Sequence, residues 1–215
     1  MKIVWMILLV LGLASTSAGQ VLLEEPFTDV RSKNYELWGA ADFNRVEPFK
    51  GKLELEGSTG GEGFGVYFRP VFDLAKTPLS ITLTLVRNAQ NQGSEICVWF
   101  VNQYLVKGSP WDEGDFVRVK IDSTDLAVEI QETSPEQRGM GTSLGKVTGA
   151  YKMGKPFDLE FRVTATTATV LVDGKELVTA KHHLTKTTGY LHLHDWNSLE
   201  GDIDTVSNFR VNVLK

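Results

Sequence analysis

The sequence lacks the features that mark several protein classes. It holds a single cysteine, Cys97, so an exported form of the chain cannot close a disulfide within itself. Lys and Arg number 22 against 27 Asp and Glu, and no run of basic residues occurs, which argues against nucleic acid and anionic membranes as partners. Beyond the first residues there is neither helical periodicity nor a second long apolar run. We therefore expect no nucleic-acid binding and no insertion into a membrane.

The first eighteen residues have the pattern of an export signal. Met1-Lys2 is a positive start, Ile3–Leu13 is an apolar run too short to span a bilayer, and small residues follow up to Ala18. We expect residues 1–18 to be a signal peptide and the mature protein to be secreted, extracellular or periplasmic. The remainder, over residues 21–215, has the length of one all-β domain.

Strand signals fill the rest of the chain. Short β-branched and aromatic runs alternate with Gly, Pro, Asn and Asp. The predicted strands are Lys52–Glu56, Gly65–Phe72, Ser80–Arg87, Glu95–Asn102, Phe116–Asp122, Leu126–Glu132, Phe157–Thr164, Thr167–Val172, Glu176–Thr179, Tyr190–Asp195 and Val206–Leu214. Such a series without helices predicts an all-β fold of two packed antiparallel sheets. Asp173-Gly174 tolerates positive φ and predicts a two-residue hairpin turn.

The segment Gly189–Trp196 carries the most informative pattern. Side chains alternate between the two faces of a strand, so Leu191 and Leu193 point to the core. The opposite face carries Tyr190, His192, His194 and Trp196. Flat rings beside hydrogen-bonding groups suit a sugar, so we expect an accessible, glycan-binding face. The alternative is a strand whose second face is covered by loops, with the histidines bonded to backbone carbonyls.

Other strands extend this polar face. The same alternation places further side chains outward, namely Tyr67, Arg69, Trp99, Arg118 and Glu129. If these outward faces adjoin, they form a groove on the concave side of the sandwich; the alternative is ordinary solvated charge. Trp111 lies in a polar loop, where it either stacks on a ligand or packs on the rim of the sandwich.

Three sets of residues resemble the concanavalin A-like jelly rolls. They are Phe27, Trp38 and Gly51–Leu55 for the opening, Thr167–Lys175 for a hairpin, and Gly201–Val206 with Phe209–Val211 for the closing strand. The resemblance covers nearly all of the mature chain and implies a two-sheet antiparallel β-sandwich, similar also to laminin-G-like domains. This superfamily includes lectins, carbohydrate-binding modules, glycoside hydrolases and polysaccharide lyases, so function must be argued from the site.

The resemblance also implies a metal and an alternative activity. Many such domains hold a structural calcium ion, for which Asp29 and Asp204 are the matching residues, while no cofactor is required. A glycoside hydrolase needs two carboxyl groups across the scissile bond, and the candidates are Glu95, Glu129 and Asp202.

The sequence thus favours a secreted, lectin-like domain that binds a poly- or oligosaccharide without cleaving it. A small hydrolase of the same fold is the first alternative. A structural or interaction domain of the cell envelope is the second.

Overall fold

The computed structural model describes residues 19–38, 45–57, 63–88, 93–103, 114–133, 141–196 and 201–215. Within these ranges the chain forms sixteen β-strands and no helix. The strands are β1 Val21–Glu25, β2 Tyr35–Trp38, β3 Arg45–Phe49, β4 Lys52–Glu56, β5 Phe64–Phe68, β6 Phe72–Asp73, β7 Leu79–Val86, β8 Glu95–Val101, β9 Phe116–Asp122, β10 Ala127–Thr133, β11 Thr142–Val147, β12 Pro156–Val163, β13 Thr167–Val172, β14 Lys175–Lys181, β15 Thr188–Trp196 and β16 Asp204–Val213.

Two predictions concern residues outside this description. The expected signal peptide at residues 1–18 and the loop residue Trp111 both lie beyond the described ranges. Among the described segments, none forms an apolar helix that is long enough to cross a membrane.

The strands form two antiparallel sheets, as the sequence predicts. Sheet I has the order β14-β13-β12-β7-β16-β4-β3, and β1 also pairs with β16. Sheet II has the order β11-β10-β9-β8-β15-β5-β2, and β6 also pairs with β15. Strands far apart in sequence therefore become neighbours, and β15 lies between β5 and β8.

The core lies between the two sheets and follows the two-residue alternation. In β7 of sheet I, Leu79, Ile81, Leu83 and Leu85 are buried, whereas the intervening Ser and Thr side chains lie on the outer side. The leucines of β15 are buried in the same core from sheet II, as predicted. Each fully buried side chain of this kind stabilises the fold by roughly 1.5–3 kcal/mol, so the alternation specifies which side of each strand faces inward.

The predicted hairpin is confirmed. Asp173 and Gly174 connect β13 to β14 and have φ values of 50° and 75°, the left-handed conformation that a two-residue turn requires. The Asp173 carboxylate also accepts a hydrogen bond of 2.9 Å from the backbone N–H of Asp158. Asp173 therefore has a structural role in the turn.

Other strand predictions need correction. The predicted strand Gly65–Phe72 is two strands, β5 and β6, because Pro70 between them has no N–H for a sheet ladder. The sequence prediction also missed β1, β2, β3 and β11. Among these, β2, β3 and β11 are outermost in their sheets, where each pairs with one neighbour among the described strands, and no residue of β11 is buried.

Candidate functional site

One side of sheet II gathers the aromatic and imidazole side chains. His192 lies opposite Tyr67 on β5 and opposite Trp99 on β8, Trp99 lies opposite Arg118 on β9, and Arg118 lies opposite Gln131 on β10. Residues opposite each other in an antiparallel pair point to the same side, so these five form one row across the sheet.

A second row runs parallel to the first. His194 lies opposite Gly65 and Cys97, Cys97 lies opposite Lys120, and Lys120 lies opposite Glu129. We call this side of sheet II the ring face, after its members Trp38, Tyr67, Trp99, Tyr190, His192, His194 and Trp196. The outward positions predicted for separate strands therefore do share one face.

The predicted accessibility of this face is wrong for most of its residues. His192 and His194 are only 2% exposed and Trp99 is fully buried. The other buried residues of the predicted groove are Tyr67, Arg118 and Glu129. The space among the rings of Trp38, Tyr67, His192 and His194 is too narrow for a water molecule. The side chains fill the volume that a ligand would need, so these residues form a packed layer.

The rings pack edge to face and tilted against one another. The centroid of Tyr67 lies 4.1 Å from that of His192 with the rings nearly perpendicular. The centroid of His194 lies 5.3 Å from Trp38, 5.8 Å from Trp99 and 5.9 Å from Trp196. These separations are those of favourable aromatic pairs, so His194 supports three tryptophans at once.

Three rings of the ring face reach solvent at its rim. Trp38, Tyr190 and Trp196 are half-buried, and Arg69 is exposed and bonded to Glu36 at 2.9 Å. We call these five residues the rim. Tyr190 and Trp196 are six residues apart on β15, which corresponds to about 20 Å along the strand. The rim therefore offers aromatic surface over a length that suits an extended ligand.

The two histidines beneath the rim have an unusual environment. Within the described residues, none of their four ring nitrogens has a hydrogen-bond partner. Burial, with a smaller contribution from the Arg118 guanidinium, lowers the pKa of His194 to about 3. Burial, and after it the His194 imidazole, holds the pKa of His192 well below its usual value. Both rings are therefore neutral at physiological pH.

Gly63, in the chain segment before β5, lies close to His194 and Trp196. A Cβ added at Gly63 would overlap the Nε2 atom of His194 and approach Trp196 to 2.8 Å. The backbone thus passes directly over His194, which only glycine permits.

Charged side chains occupy the other end of the face. The Arg118 guanidinium stacks 4.5 Å from the Trp99 ring and donates to Oε1 of Gln131 at 2.9 Å from Nε. Lys120 Nζ lies 2.7 Å from a Glu95 oxygen and 3.1 Å from an Asp122 oxygen. Cations and carboxylates therefore neutralise one another beside the rings.

The candidate catalytic carboxylates do not form a pair across an open groove. Glu95 is buried and bonded to Lys120, with Arg118 at 3.4 Å. Glu129 is buried on the same face, opposite Lys120. Asp202 lies in the segment before β16 and is in neither sheet. Glu95 and Glu129 are both buried, so they do not flank an open groove.

The two calcium candidates, Asp29 and Asp204, each have other hydrogen-bond partners. Asp204 is buried, and its carboxylate accepts hydrogen bonds from Arg87 and from the backbone N–H of Asn88, each at 2.5 Å. Asp29 is exposed and accepts a bond from the Arg31 backbone at 2.8 Å. Among the described residues, no three His, Cys, Asp or Glu side chains could hold a metal ion together. Calcium stays a prediction from the resemblance, and the commitment of Asp204 to Arg87 does not fit it.

Cys97 matches its sequence context, an apolar strand. It is fully buried on the ring face, and burial raises the pKa of its thiol. A neutral, inaccessible thiol is a packing residue and not a nucleophile.

A groove of about 390 Å³, larger than the space among the rings, lies on the outer side of sheet I. Its polar side chains bond to one another: Thr84 donates to Asp158 at 2.7 Å, and Asn208 donates to Thr84 at 3.1 Å. The described residues that line it include no aromatic ring. The ring face is thus the better candidate for sugar recognition.

Trp38 and Glu36 are rim residues that the sequence prediction missed as site residues. Both lie on β2, where the alternation of Tyr35 and Leu37 with Glu36 and Trp38 extends over only four residues. A pattern that short is a weak strand signal, although Trp38 itself is part of the resemblance.

These features define a two-sheet antiparallel sandwich with an aromatic face on one sheet, and the chain has the concanavalin A-like jelly-roll fold. No protein-family model and no curated protein sequence matches the chain. Three solved structures show the likeness.

The first of these structures is the carbohydrate-binding module CBM66 from Bacillus subtilis, with a TM-score of 0.62 and 9% identity over 85% of this chain and 97% of that chain. The β-glucanase of Bacillus licheniformis has a TM-score of 0.65 and 15% identity over 92% and 99%. The exoplasmic/lumenal domain of VIP36, in its Ca²⁺/Man3GlcNAc-bound form, has a TM-score of 0.63 and 12% identity over 84% and 83%. At such identities the likeness shows the fold alone.

Proposed function

We propose that this protein is an exported, non-catalytic carbohydrate-binding domain that recognises an extracellular poly- or oligosaccharide along the rim of the ring face. The observation that carries the proposal is the grouping of Trp38, Tyr190 and Trp196 on one side of sheet II, half-buried and above a packed layer of rings. A carbohydrate-binding module and a glycan-bound lectin-type domain among the structures of the same fold add support.

The chemistry of the rim suits a sugar. A pyranose ring offers C–H groups to an aromatic face and hydroxyl groups to polar partners. The half-buried tryptophans supply the flat surfaces, and the exposed Arg69–Glu36 pair supplies donors and acceptors. Rigid support under such contacts reduces the entropy cost of binding, and the packed histidine layer gives that support.

The carboxylates favour binding over cleavage. A retaining or inverting hydrolase places two carboxyl groups about 5–10 Å apart on either side of the scissile bond. Here Glu95 is buried and held by Lys120, and Glu129 is buried as well. These two glutamates therefore offer no accessible carboxylate pair to a substrate.

The test is a glycan array at pH 7.5, followed by calorimetric titration of each glycan that binds. Trp38→Ala and Trp196→Ala should each weaken binding about tenfold or more, as expected for an aromatic anchor in an interface. The matched control is Phe49→Ala, which removes an exposed aromatic ring from β3 of sheet I. Its affinity should equal that of the unchanged protein.

Three results would contradict the proposal. Failure to bind any glycan would leave the interaction-domain alternative. New reducing ends that disappear in Glu95→Gln would establish the hydrolase alternative. Equal loss of binding in Phe49→Ala and Trp196→Ala, with all variants folded, would show that the rim is not the site.

A further inference from the structure

The two imidazoles beneath the rim are titratable groups in contact with the rings of the binding face. His194 contacts both of the outer rim tryptophans, Trp38 and Trp196, as well as the fully buried Trp99. His192 contacts Tyr67, whose ring in turn lies 5.7 Å from Trp38. The position of the rim thus depends on both histidine rings.

Protonation would give these rings additional N–H groups that need hydrogen-bond acceptors. An imidazolium has two N–H donors and a positive charge, and each buried donor needs an acceptor. None of the four nitrogens has a partner in the described residues, and both rings are only 2% exposed. Water could reach the nitrogens only if the covering rings moved away.

Among the residues that the structure describes, the charges around the imidazoles do not compensate an added proton. The titratable and charged side chains that the described neighbouring strands place on the ring face are Glu36, Tyr67, Arg69, Glu95, Cys97, Arg118, Lys120, Asp122 and Glu129. Of these, Glu95 is bonded to Lys120 at 2.7 Å and lies 3.4 Å from Arg118, so its charge is already balanced. The Arg118 guanidinium repels a second cation at His194. Aromatic faces attract an imidazolium, yet they supply no acceptor for its N–H groups.

We propose that the ring face is an acid-sensitive lock, in which protonation of His192 and His194 displaces Trp38 and Trp196 and releases the bound saccharide. The release step rests on the proposed function, whereas the opening of the face does not. The lock holds the rim at neutral pH, where both rings are uncharged, and weakens as the solution becomes acidic.

The pKa values of the histidines in the closed and the open face determine that acid favours opening. In the closed face the pKa of each histidine is lowered, and in an opened, hydrated face it returns toward the ordinary value of about 6.5. Below that pH each histidine favours the open face by up to about tenfold per pH unit. Free Asp and Glu titrate near pH 4, so a range from pH 7.5 to 5.0 tests the histidines separately.

The experiment has two readouts on the full mature chain. Acrylamide quenching of tryptophan fluorescence, without ligand, should rise between pH 7.5 and 5.0 while far-UV circular dichroism stays unchanged. The affinity for a glycan that binds at pH 7.5 should fall about tenfold or more over the same range. The variant His192→Phe/His194→Phe keeps flat rings but cannot titrate, and both changes should vanish in it. The control His183→Gln alters an exposed histidine and should behave as the unchanged protein.

The contrary results distinguish the opening of the ring face, the release of the saccharide and the proposed function. Quenching that does not change with pH, or that still changes in the double phenylalanine variant, overturns the lock whether or not a glycan binds. Loss of the strand signal in the same range also overturns it, because the lock requires a folded sandwich. A pH-dependent quenching change with pH-independent affinity overturns the release step. Absence of any glycan ligand at pH 7.5 counts against the proposed function alone. Should the double variant fail to fold, the single variants His192→Phe and His194→Phe replace it, and each should show a smaller rise in quenching than the unchanged protein.

Discussion

At the level of single residues, the buried nitrogens of His192 and His194 lower the free energy of unfolding. A buried polar group without a hydrogen bond costs about 1–3 kcal/mol, and these rings carry four such nitrogens within the described structure. The protein tolerates them because both rings stay neutral, since a buried charge without a partner would cost far more.

The lowered pKa values predict acid-sensitive stability. In the unfolded chain both histidines take up protons near pH 6.5, whereas in the folded chain they do not, so the unfolded state binds more protons and the free energy of unfolding falls as the pH falls. From pH 7.0 to 5.5 the two groups together should remove about 2–3 kcal/mol. His182, whose pKa burial also lowers, adds a change of the same sign.

Urea denaturation at the two pH values measures this change. The double variant His192→Phe/His194→Phe should lose most of the pH dependence and keep the part due to His182. A free energy of unfolding that is equal at pH 7.0 and 5.5 would contradict the buried, neutral state of the histidines.

The sequence predicts the faces of these residues but not their exposure. Alternation along Gly189–Trp196 separates Leu191 and Leu193 from the histidines, and this separation is confirmed. Exposure depends on what covers the face, and here Trp38 and the backbone at Gly63 lie over His194. Those contacts join segments distant from β15 in sequence, so a local pattern could not reveal them.

At the scale of elements, prediction succeeded where a strand is flanked by two others and packs on the core. β7 and β12 show a full alternation over eight residues, with aliphatic and aromatic side chains on one side. β2 has four residues and β11 a largely exposed edge, so neither repeats the pattern often enough to be recognised.

The β13–β14 hairpin allows a test of the predicted two-residue turn at Asp173-Gly174. Gly174 has a φ of 75°, and an added Cβ would meet no neighbouring atom, so Gly174→Ala should cost only the left-handed backbone strain of about 1–2 kcal/mol. Thermal denaturation with a van't Hoff analysis gives the difference. Asp173→Asn is the control, because asparagine also tolerates positive φ, and it should change stability by less than half as much. A neutral Gly174→Ala would contradict the turn.

At the scale of the whole molecule, a buried cation ties the two sheets together. Arg87 follows β7 of sheet I and contacts Asp204 of the same sheet at 2.5 Å. It also donates to Ser94, which precedes β8 of sheet II, at 2.9 Å, and lies 3.8 Å from Asp195 on β15. The resemblance to jelly-roll domains implied calcium at Asp204, and the sequence could not show the contact with Arg87 because strand order cannot be read from a single chain.

Breaking this tie should destabilise the sandwich strongly. Arg87→Met leaves two buried carboxylates without their cation, which should cost about 3–5 kcal/mol of unfolding free energy. The matched control is Arg162→Met, whose ion pair with Glu160 lies on the outer side of sheet I and should contribute less than about 1 kcal/mol. Urea denaturation measures both losses, and equal losses would show that Arg87 contributes no more than a surface ion pair.

Hydroxyl-radical footprinting with and without a bound oligosaccharide shows whether the rim of the ring face is the saccharide-binding surface. We expect the ligand to protect Trp38, Tyr190 and Trp196 from oxidation at pH 7.5, while Phe49 on sheet I reacts equally in both samples. Protection of Phe49 or of the outer side of sheet I, with the three rim residues unchanged, would contradict it.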